Sequence, residues 1–197
     1  VIVDLANRID AGLPWDDIPG TWVKTAGGEV LKHKNRPNIP LNDIAIPDWR
    51  RGNYIHIDGD RLVRGRFPLN LGKEYPIMTQ RGCPFSCSFC IESRYQEMFG
   101  KKDSLRRRNI DVVLEELHWA KDVLNIETVL FYDDVFTVNP QWLREFLPRY
   151  KEEIGLPFWC YTYPTTHNAE LLKSLKAAGC TSITMGVQSG SERILKE

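Results

Sequence analysis

The 197-residue chain is 42% hydrophobic, enough to close a core as one domain or as a domain with a flanking piece. Its 26 basic and 26 acidic side chains cancel, so no global field draws it to nucleic acid or to an anionic membrane. No apolar run approaches the ~18–20 residues of a membrane-spanning helix, and no basic region followed by an apolar core marks a signal peptide. A cytoplasmic location is the default.

The first 72 residues differ in character from the rest. Val1 to Ala11 reads as the end of an amphipathic helix, and Trp15 to Gly20 as a turn-rich exit from it. Thr21 to Lys24 and Val30 to Lys32, separated by Ala26-Gly27-Gly28-Glu29, predict a small β-hairpin. Arg36 to Trp49 is a linker punctuated by Pro37, Pro40 and Pro47. The apolar Ile39, Leu41, Ile44 and Ile46 between them predict that it packs on the following domain.

From Lys73 onward strand-like and helix-like segments alternate, the pattern of βα units and a parallel sheet. Four strands are predicted, over Tyr75 to Thr79, Thr128 to Tyr132, Phe158 to Tyr161 and Ser182 to Val187. Helices are predicted between them. One covers Ile110 to Val123, with Val112, Val113, Leu117 and Ala120 at helical spacing. One opens at Asn139-Pro140, and one is capped by Asn168 and stopped by Gly179. A further helix opens at Gly190 to Leu195 as the sequence ends. The run Lys101-Lys102 and Arg106-Arg107-Arg108 reads first as a solvated loop and helix entry, with a patch for an anionic substrate as the alternative.

Cys83-Pro84-Phe85-Ser86-Cys87-Ser88-Phe89-Cys90 follows the first predicted strand and carries three cysteines spaced C-x3-C-x2-C. Three thiolates on one loop suit an iron–sulfur cubane with one iron left open, since four cysteines commonly fill such a cluster. A structural zinc site usually wants four protein ligands, and a disulfide framework wants an oxidising context and an even count. Cys160 and Cys180 lie beside predicted strands among apolar neighbours and read as buried, inert residues rather than a fourth ligand.

The cysteine loop, with aromatic Phe89 before Cys90, resembles that of the radical S-adenosylmethionine (SAM) superfamily. The resemblance implies a [4Fe–4S] cluster on Cys83, Cys87 and Cys90 whose open iron chelates SAM. It also implies reductive cleavage of SAM to methionine and a 5'-deoxyadenosyl radical, with an electron donor such as flavodoxin or ferredoxin. The implied fold is α/β, a partial (β/α)6 TIM-like barrel over residues 73–197, truncated after its fourth strand. Phe89 then reads as an anchor for the loop or as a neighbour of the cluster and the adenine.

Phe131-Tyr132-Asp133-Asp134-Val135-Phe136-Thr137 resembles the family's F-x-D-D-x-F-T, which makes Asp133 and Asp134 candidates for the SAM ammonium group; a plain acidic turn is the alternative. Gly186-Val187-Gln188-Ser189-Gly190-Ser191-Glu192 is similar to the family's G-I-E-S-G-S-E, with an amide at Gln188 in place of the acid. Gln188 and Ser189 are candidates for the ribose or methionine part of SAM, against a simple helix cap. His118 and His167 receive no role. The Ile-Pro-Gly, hairpin and proline-linker arrangement ending in Pro47-Asp48-Trp49 resembles the connector that follows an N-terminal cobalamin-binding domain. Residues 1–72 would then follow a cobalamin domain outside this chain.

The leading expectation is a cobalamin-linked radical SAM enzyme acting on a small molecule by methyl transfer or oxidative cyclisation. A methylthiotransferase shares the loop but usually carries further cysteines N-terminal to it, and none precedes Cys83. A non-catalytic metal-binding or electron-transfer module stands as the reading from another class.

Overall fold

A computed structural model describes residues 1–48, 55–64 and 72–196. Helix α1 (Ile2–Asp10) buries none of its side chains; Asp4 is ion-paired with Arg36 at the far end of the following hairpin. That hairpin is antiparallel, β1 (Trp22–Lys24) against β2 (Val30–Lys32), with Trp22 opposite Lys32 and the Lys32 ammonium 4.4 Å from the indole centroid.

The linker meets the following domain through Leu41 and polar bonds, while Ile39 and Ile44, expected to pack, stay exposed. Leu41 is buried, the Asn38 side chain donates to the Asp103 carbonyl at 3.1 Å, and Asn42 Oδ1 accepts from the Asn109 N–H at 2.8 Å. Its last residue, Trp49, lies outside the described residues. A second hairpin, β3 (Ile55–Asp58) with β4 (Arg61–Arg64), pairs Asp58 with Arg61. Gly59 takes the positive φ of 59° its two-residue turn requires. This hairpin was not expected, although Asp58-Gly59 is a turn signal.

The catalytic-domain candidate begins with β5 (Glu74–Ile77), followed by β6 (Gln80–Arg81), α2 (Ile91–Phe99), α3 (Lys101–Ser104) and β7 (Arg106–Arg107). The chain then alternates through α4 (Ile110–Leu124), β8 (Thr128–Phe131), α5 (Pro140–Arg149), β9 (Phe158–Thr162), α6 (Ala169–Ala178), β10 (Cys180–Met185) and α7 (Glu192–Lys196). The sheet order is β5-β8-β9-β10, every pair parallel. Strands added one after another in the same direction through right-handed crossovers place their helices on one face, the geometry of a (β/α) barrel wall.

The helix-facing residues form the core. Tyr75, Ile77, Val129, Phe131, Phe158 and Cys160 from the strands pack with Val113, Leu114 and Leu117 of α4 and Leu143 and Phe146 of α5, all of them buried. Phe131 is the hub, its ring 4.5 Å from Phe136, 5.2 Å from Phe158 and 5.7 Å from both Phe146 and Tyr150. On the opposite face the side chains are larger and wetter. Trp159 and Tyr161 are half-buried and meet Tyr132 edge-on or tilted, at 5.3 and 5.9 Å.

Helix ends follow their sequence signals. Asn139 Oδ1 accepts from the Trp142 N–H and Asn168 Oδ1 from the Leu171 N–H, the N-cap bonds expected of asparagine. Pro148 cannot donate, and α5 gives way after Arg149 to a wider π-type turn over Tyr150–Ile154.

The basic run divides: Lys101 and Lys102 are exposed on α3, as a solvated reading expects, while Arg106, Arg107 and Arg108 are half-buried and engaged by partners. Arg106 Nη1 donates to the Ile39 carbonyl at 2.7 Å and ties down the linker. Arg107 turns inward. Arg108 forms a buried ion pair with Glu116 at 2.6 Å, while Glu116 also accepts from Tyr75 Oη at 2.8 Å. The charges serve packing because their partners, Glu116 and several main-chain carbonyls, lie inside.

Candidate cofactor site

The three cysteines leave the C-terminal end of the first sheet strand, the edge where ligands gather in α/β folds. Strand β5 ends at Ile77, two residues before the expected Thr79. Its next amides are captured by Asp133, whose Oδ1 accepts from the N–H of Thr79 at 2.6 Å and of Gln80 at 2.8 Å. Its Oδ2 accepts from Thr79 Oγ1 at 2.5 Å. Asp133 is fully buried. Burial pushes its carboxyl up, against the pull of these hydrogen bonds and of Arg107. The Arg107 guanidinium donates to Gln80 Oε1 and to the Phe136 carbonyl and stacks 4.6 Å over the Trp142 ring; burial pulls its pKa down to about 10.

Beyond this clamp Gly82 has a φ of 86° and lies so close to the neighbouring chain that an added Cβ would sit 2.2 Å from the Ser104 carbonyl oxygen. Only glycine fits here, because β6 and β7 pair across this point. The loop is then held from two sides. Gln96 Nε2 on α2 donates to the carbonyls of Cys83 at 2.8 Å and Phe85 at 2.9 Å, and Ser93 Oγ donates to the Cys87 carbonyl at 2.5 Å. From the sheet side Tyr163, just past β9, stacks on Phe85 with centroids 4.0 Å apart.

Cys83, Cys87 and Cys90 are half-buried or exposed at their edges and unpaired in disulfides. Burial pushes the Cys83 thiol up, with the charges of Asp134, Cys87 and Glu92 adding to the rise and the Phe85 N–H opposing it. A positive metal centre reverses that balance by taking the thiolate. Among the described residues no three His, Cys, Asp or Glu side chains converge closely enough to hold a single metal ion.

The other predicted residues divide. Phe89 is 72% exposed, so it is not a packed anchor of the loop. Asp134 is on the surface beside the cavity, and desolvation raises its carboxyl while Arg81 pulls it down. With Met78, Arg81, Glu92 and Tyr95 it lines a cavity of ≈ 340 Å³ next to the root of the cysteine loop. Asp133 and Asp134 therefore part: one faces inward on the strand-end amides, the other outward. Gln188 and Ser189 lie past β10, at the same edge of the sheet as the loop. Gln188 has a positive φ of 64°, and Ser189 Oγ accepts from the Ser191 N–H at 3.0 Å, a turn bond ahead of α7.

Cys160 is buried in the core and Cys180 is half-buried, donating to the Ser182 carbonyl at 3.3 Å; both belong to the sheet and not to the loop. His118 lies 3.5 Å from Glu153, and His167 Nδ1 lies 3.1 Å from the Tyr163 carbonyl. Sequence reasoning missed Gln96, Ser93 and Arg107. The available signal for the first two was position, since Ser93 and Gln96 fall three and six residues after Cys90, on one face of the helix that follows it.

Residues 77–197 match the Radical SAM superfamily. An uncharacterized methyltransferase of Pyrococcus horikoshii is 29% identical over 98% of this chain and 39% of its own length. Cytidylyl-2-hydroxyethylphosphonate methyltransferase of Streptomyces wedmorensis is 30% identical over 80% of this chain and 28% of its own. The chain thus spans less than two fifths of either relative. Among solved structures, the radical SAM methyltransferase TsrM from Kitasatospora setae, with cobalamin and a [4Fe–4S] cluster bound, superposes with a TM-score of 0.65 at 22% identity. That match covers 98% of this chain and 37% of TsrM, a likeness of fold. The match over residues 77–197, on a parallel sheet with three cysteines at its ligand edge, identifies this chain as a member of the radical SAM superfamily.

Proposed function

We propose that this chain holds a [4Fe–4S] cluster through Cys83, Cys87 and Cys90 and binds SAM beside it. The reaction would begin a cobalamin-linked methyl transfer or an oxidative ring closure on a small molecule. The observation that carries the reading is the preformed three-cysteine loop at the C-terminal edge of the parallel sheet, pinned by Gln96 and Ser93. Three protein thiols and no fourth fit a cluster with one open iron. When bound, the cluster supplies the electron that cleaves SAM into methionine and a 5'-deoxyadenosyl radical.

The chain's own residues have separable tasks. Asp133 holds the strand end from which the loop springs, and Asp134 offers the outward carboxylate for the SAM ammonium group. Phe89, exposed next to Cys90, presents a flat apolar face for the adenine. Gln188 and Ser189 offer amide and hydroxyl groups to the ribose or the methionine part. The half-buried Trp159 and Tyr161, with the exposed Tyr132 packed against them, offer an aromatic surface that would shield a bound substrate from water.

The names of the relatives support the choice of reaction. They include methyltransferases acting on a phosphonate and on tryptophan, and an anaerobic magnesium-protoporphyrin IX monomethyl ester cyclase of Cereibacter sphaeroides. The cobalamin in the TsrM structure supports a cobalamin-linked reaction here, with the corrinoid bound by a domain outside this chain. A flavodoxin or ferredoxin would supply the electron. A reducing compartment, the cytoplasm, keeps the thiols free. Among the described residues no helix is long and apolar enough to cross a membrane.

Anaerobic reconstitution with iron and sulfide, followed by electron paramagnetic resonance of the reduced protein with and without SAM, tests this reading. A cluster signal that shifts on adding SAM and is absent from Cys87→Ala is the expected result. Stoichiometric zinc with no cluster would overturn it and make the loop a structural metal site.

A further inference from the structure

The family motif ends at Cys90, and the loop's order depends on residues beyond it. We propose that Gln96 is a positioning residue for the cysteine loop: one carboxamide spans Cys83 and Phe85 and sets the first half of the loop in ligand geometry before any metal arrives. The inference rests on the cluster reading above for its consequence and on geometry alone for its cause.

A single Nε2 donates at 2.8 Å to the Cys83 carbonyl and at 2.9 Å to the Phe85 carbonyl, while Gln96 Oε1 accepts from Ser86 Oγ at 3.1 Å. Three hydrogen bonds made by one side chain thus span Cys83 to Ser86, the first part of the C-x3-C interval. The peptide unit is planar and trans, so turning the Phe85 carbonyl towards α2 turns the Ser86 N–H to the opposite side of the loop. Ser93 does the same one step on, since its bond to the Cys87 carbonyl turns the Ser88 N–H away from α2. Two of the loop's peptide planes, Phe85–Ser86 and Cys87–Ser88, are therefore oriented by α2, and their amides are directed to the side away from it. Amide hydrogen bonds to cluster sulfurs are among the protein's levers on cluster potential. The stack of Phe85 on Tyr163 closes the same segment from the sheet side, and the second half of the loop is held separately by Ser93 and by the Cys90 N–H on the Cys87 carbonyl, so the Gln96 bonds act chiefly on the first half.

The arrangement asks for a donor, not merely for bulk. Glutamate has no donor for two carbonyls when ionised, methionine fills the same space without one, and lysine supplies three. All are good helix formers, so α2 itself tolerates each of them.

The test uses the 197-residue chain with Gln96→Met, Gln96→Glu and Gln96→Lys. Each is reconstituted anaerobically and challenged with an iron chelator while cluster absorbance is followed. Gln96→Met and Gln96→Glu should retain the cluster about 10- to 100-fold less well than the unaltered chain, the scale set by outer partners of metal ligands. Gln96→Lys should recover most of that loss. Amide hydrogen exchange of the metal-free proteins is the second arm. The methionine variant should exchange faster across residues 83–90 with α4 and β8 unchanged. Equal retention and equal exchange in all variants would overturn the proposal. So would a lysine variant no better than glutamate, a comparison that stands even if Gln96→Met fails to fold. A chain that takes up no cluster defeats the functional reading alone; the exchange arm still decides the role of Gln96.

Discussion

The outer face of the sheet and the cysteine loop solve opposite problems. Around Phe131 the chain buries ring against ring, and the driving force is the removal of apolar surface from water, which is non-directional and tolerant of detail. At the loop almost nothing apolar is buried. The shape is imposed by directed hydrogen bonds, accepted by Asp133 and donated by Ser93 and Gln96, and by one glycine. Each such bond is worth only about 0.5–1.5 kcal/mol net, yet together they fix where three thiols stand. Fold stability and site geometry therefore rest on different residues, and mutation can separate them.

The largest expected effect falls on the core. Phe131→Ala removes the hub of four ring contacts and should cost about 3–5 kcal/mol, read as a lowered midpoint in urea unfolding. The loop should respond in kind rather than in amount. Gly82→Ala drives a Cβ into the Ser104 carbonyl and should cost about 1–3 kcal/mol, with cluster uptake failing well before stability does. Gly100→Ala is its control. That glycine also has a positive φ, of 84°, but its added Cβ meets nothing within 4 Å, so cluster uptake should survive.

The smallest effect is electrostatic and belongs to the core side. Arg149 holds the Glu153 carboxyl below its usual range, through a hydrogen bond first. A carboxyl depressed by folding contributes in full above its ordinary pKa, about 4.3. Its contribution fades as pH falls through the lower folded value. Arg149→Met should flatten the acid limb of the stability curve slightly, and titration of Glu153 by NMR should show its pKa returning upward.

Much of this was legible beforehand. The cysteine spacing, the alternation of strands with capped helices and the apolar linker all carry local signals, and the hairpin at Thr21 to Lys32 announced itself by its glycines. What was hidden depends on meetings between distant residues. That β5 stops at Ile77 follows from Asp133, 54 positions away from Thr79. The arginines of the basic run read as solvated until Glu116 and the linker are brought beside them. Asp133 and Asp134 are adjacent and chemically identical in sequence, and only the turn after β8, with the Thr79 and Gln80 amides waiting on one side, sends one inward and the other out. Gln96 carries no motif, because a carboxamide that serves backbone carbonyls leaves no pattern of paired side chains.

The Asp133 clamp also sets an order of events. The root of the loop, at Thr79 and Gln80, is completed by a carboxylate that lies beyond α4 and β8 in the chain and reaches it through the pairing of β8 with β5. Closing so long an intervening segment is a slow, entropically opposed step relative to local helix formation. During synthesis the three thiols emerge before the residue that finishes their platform exists. Completion of that platform follows strand pairing, so the root of the loop is coupled to the tertiary fold while its tip is shaped locally by α2.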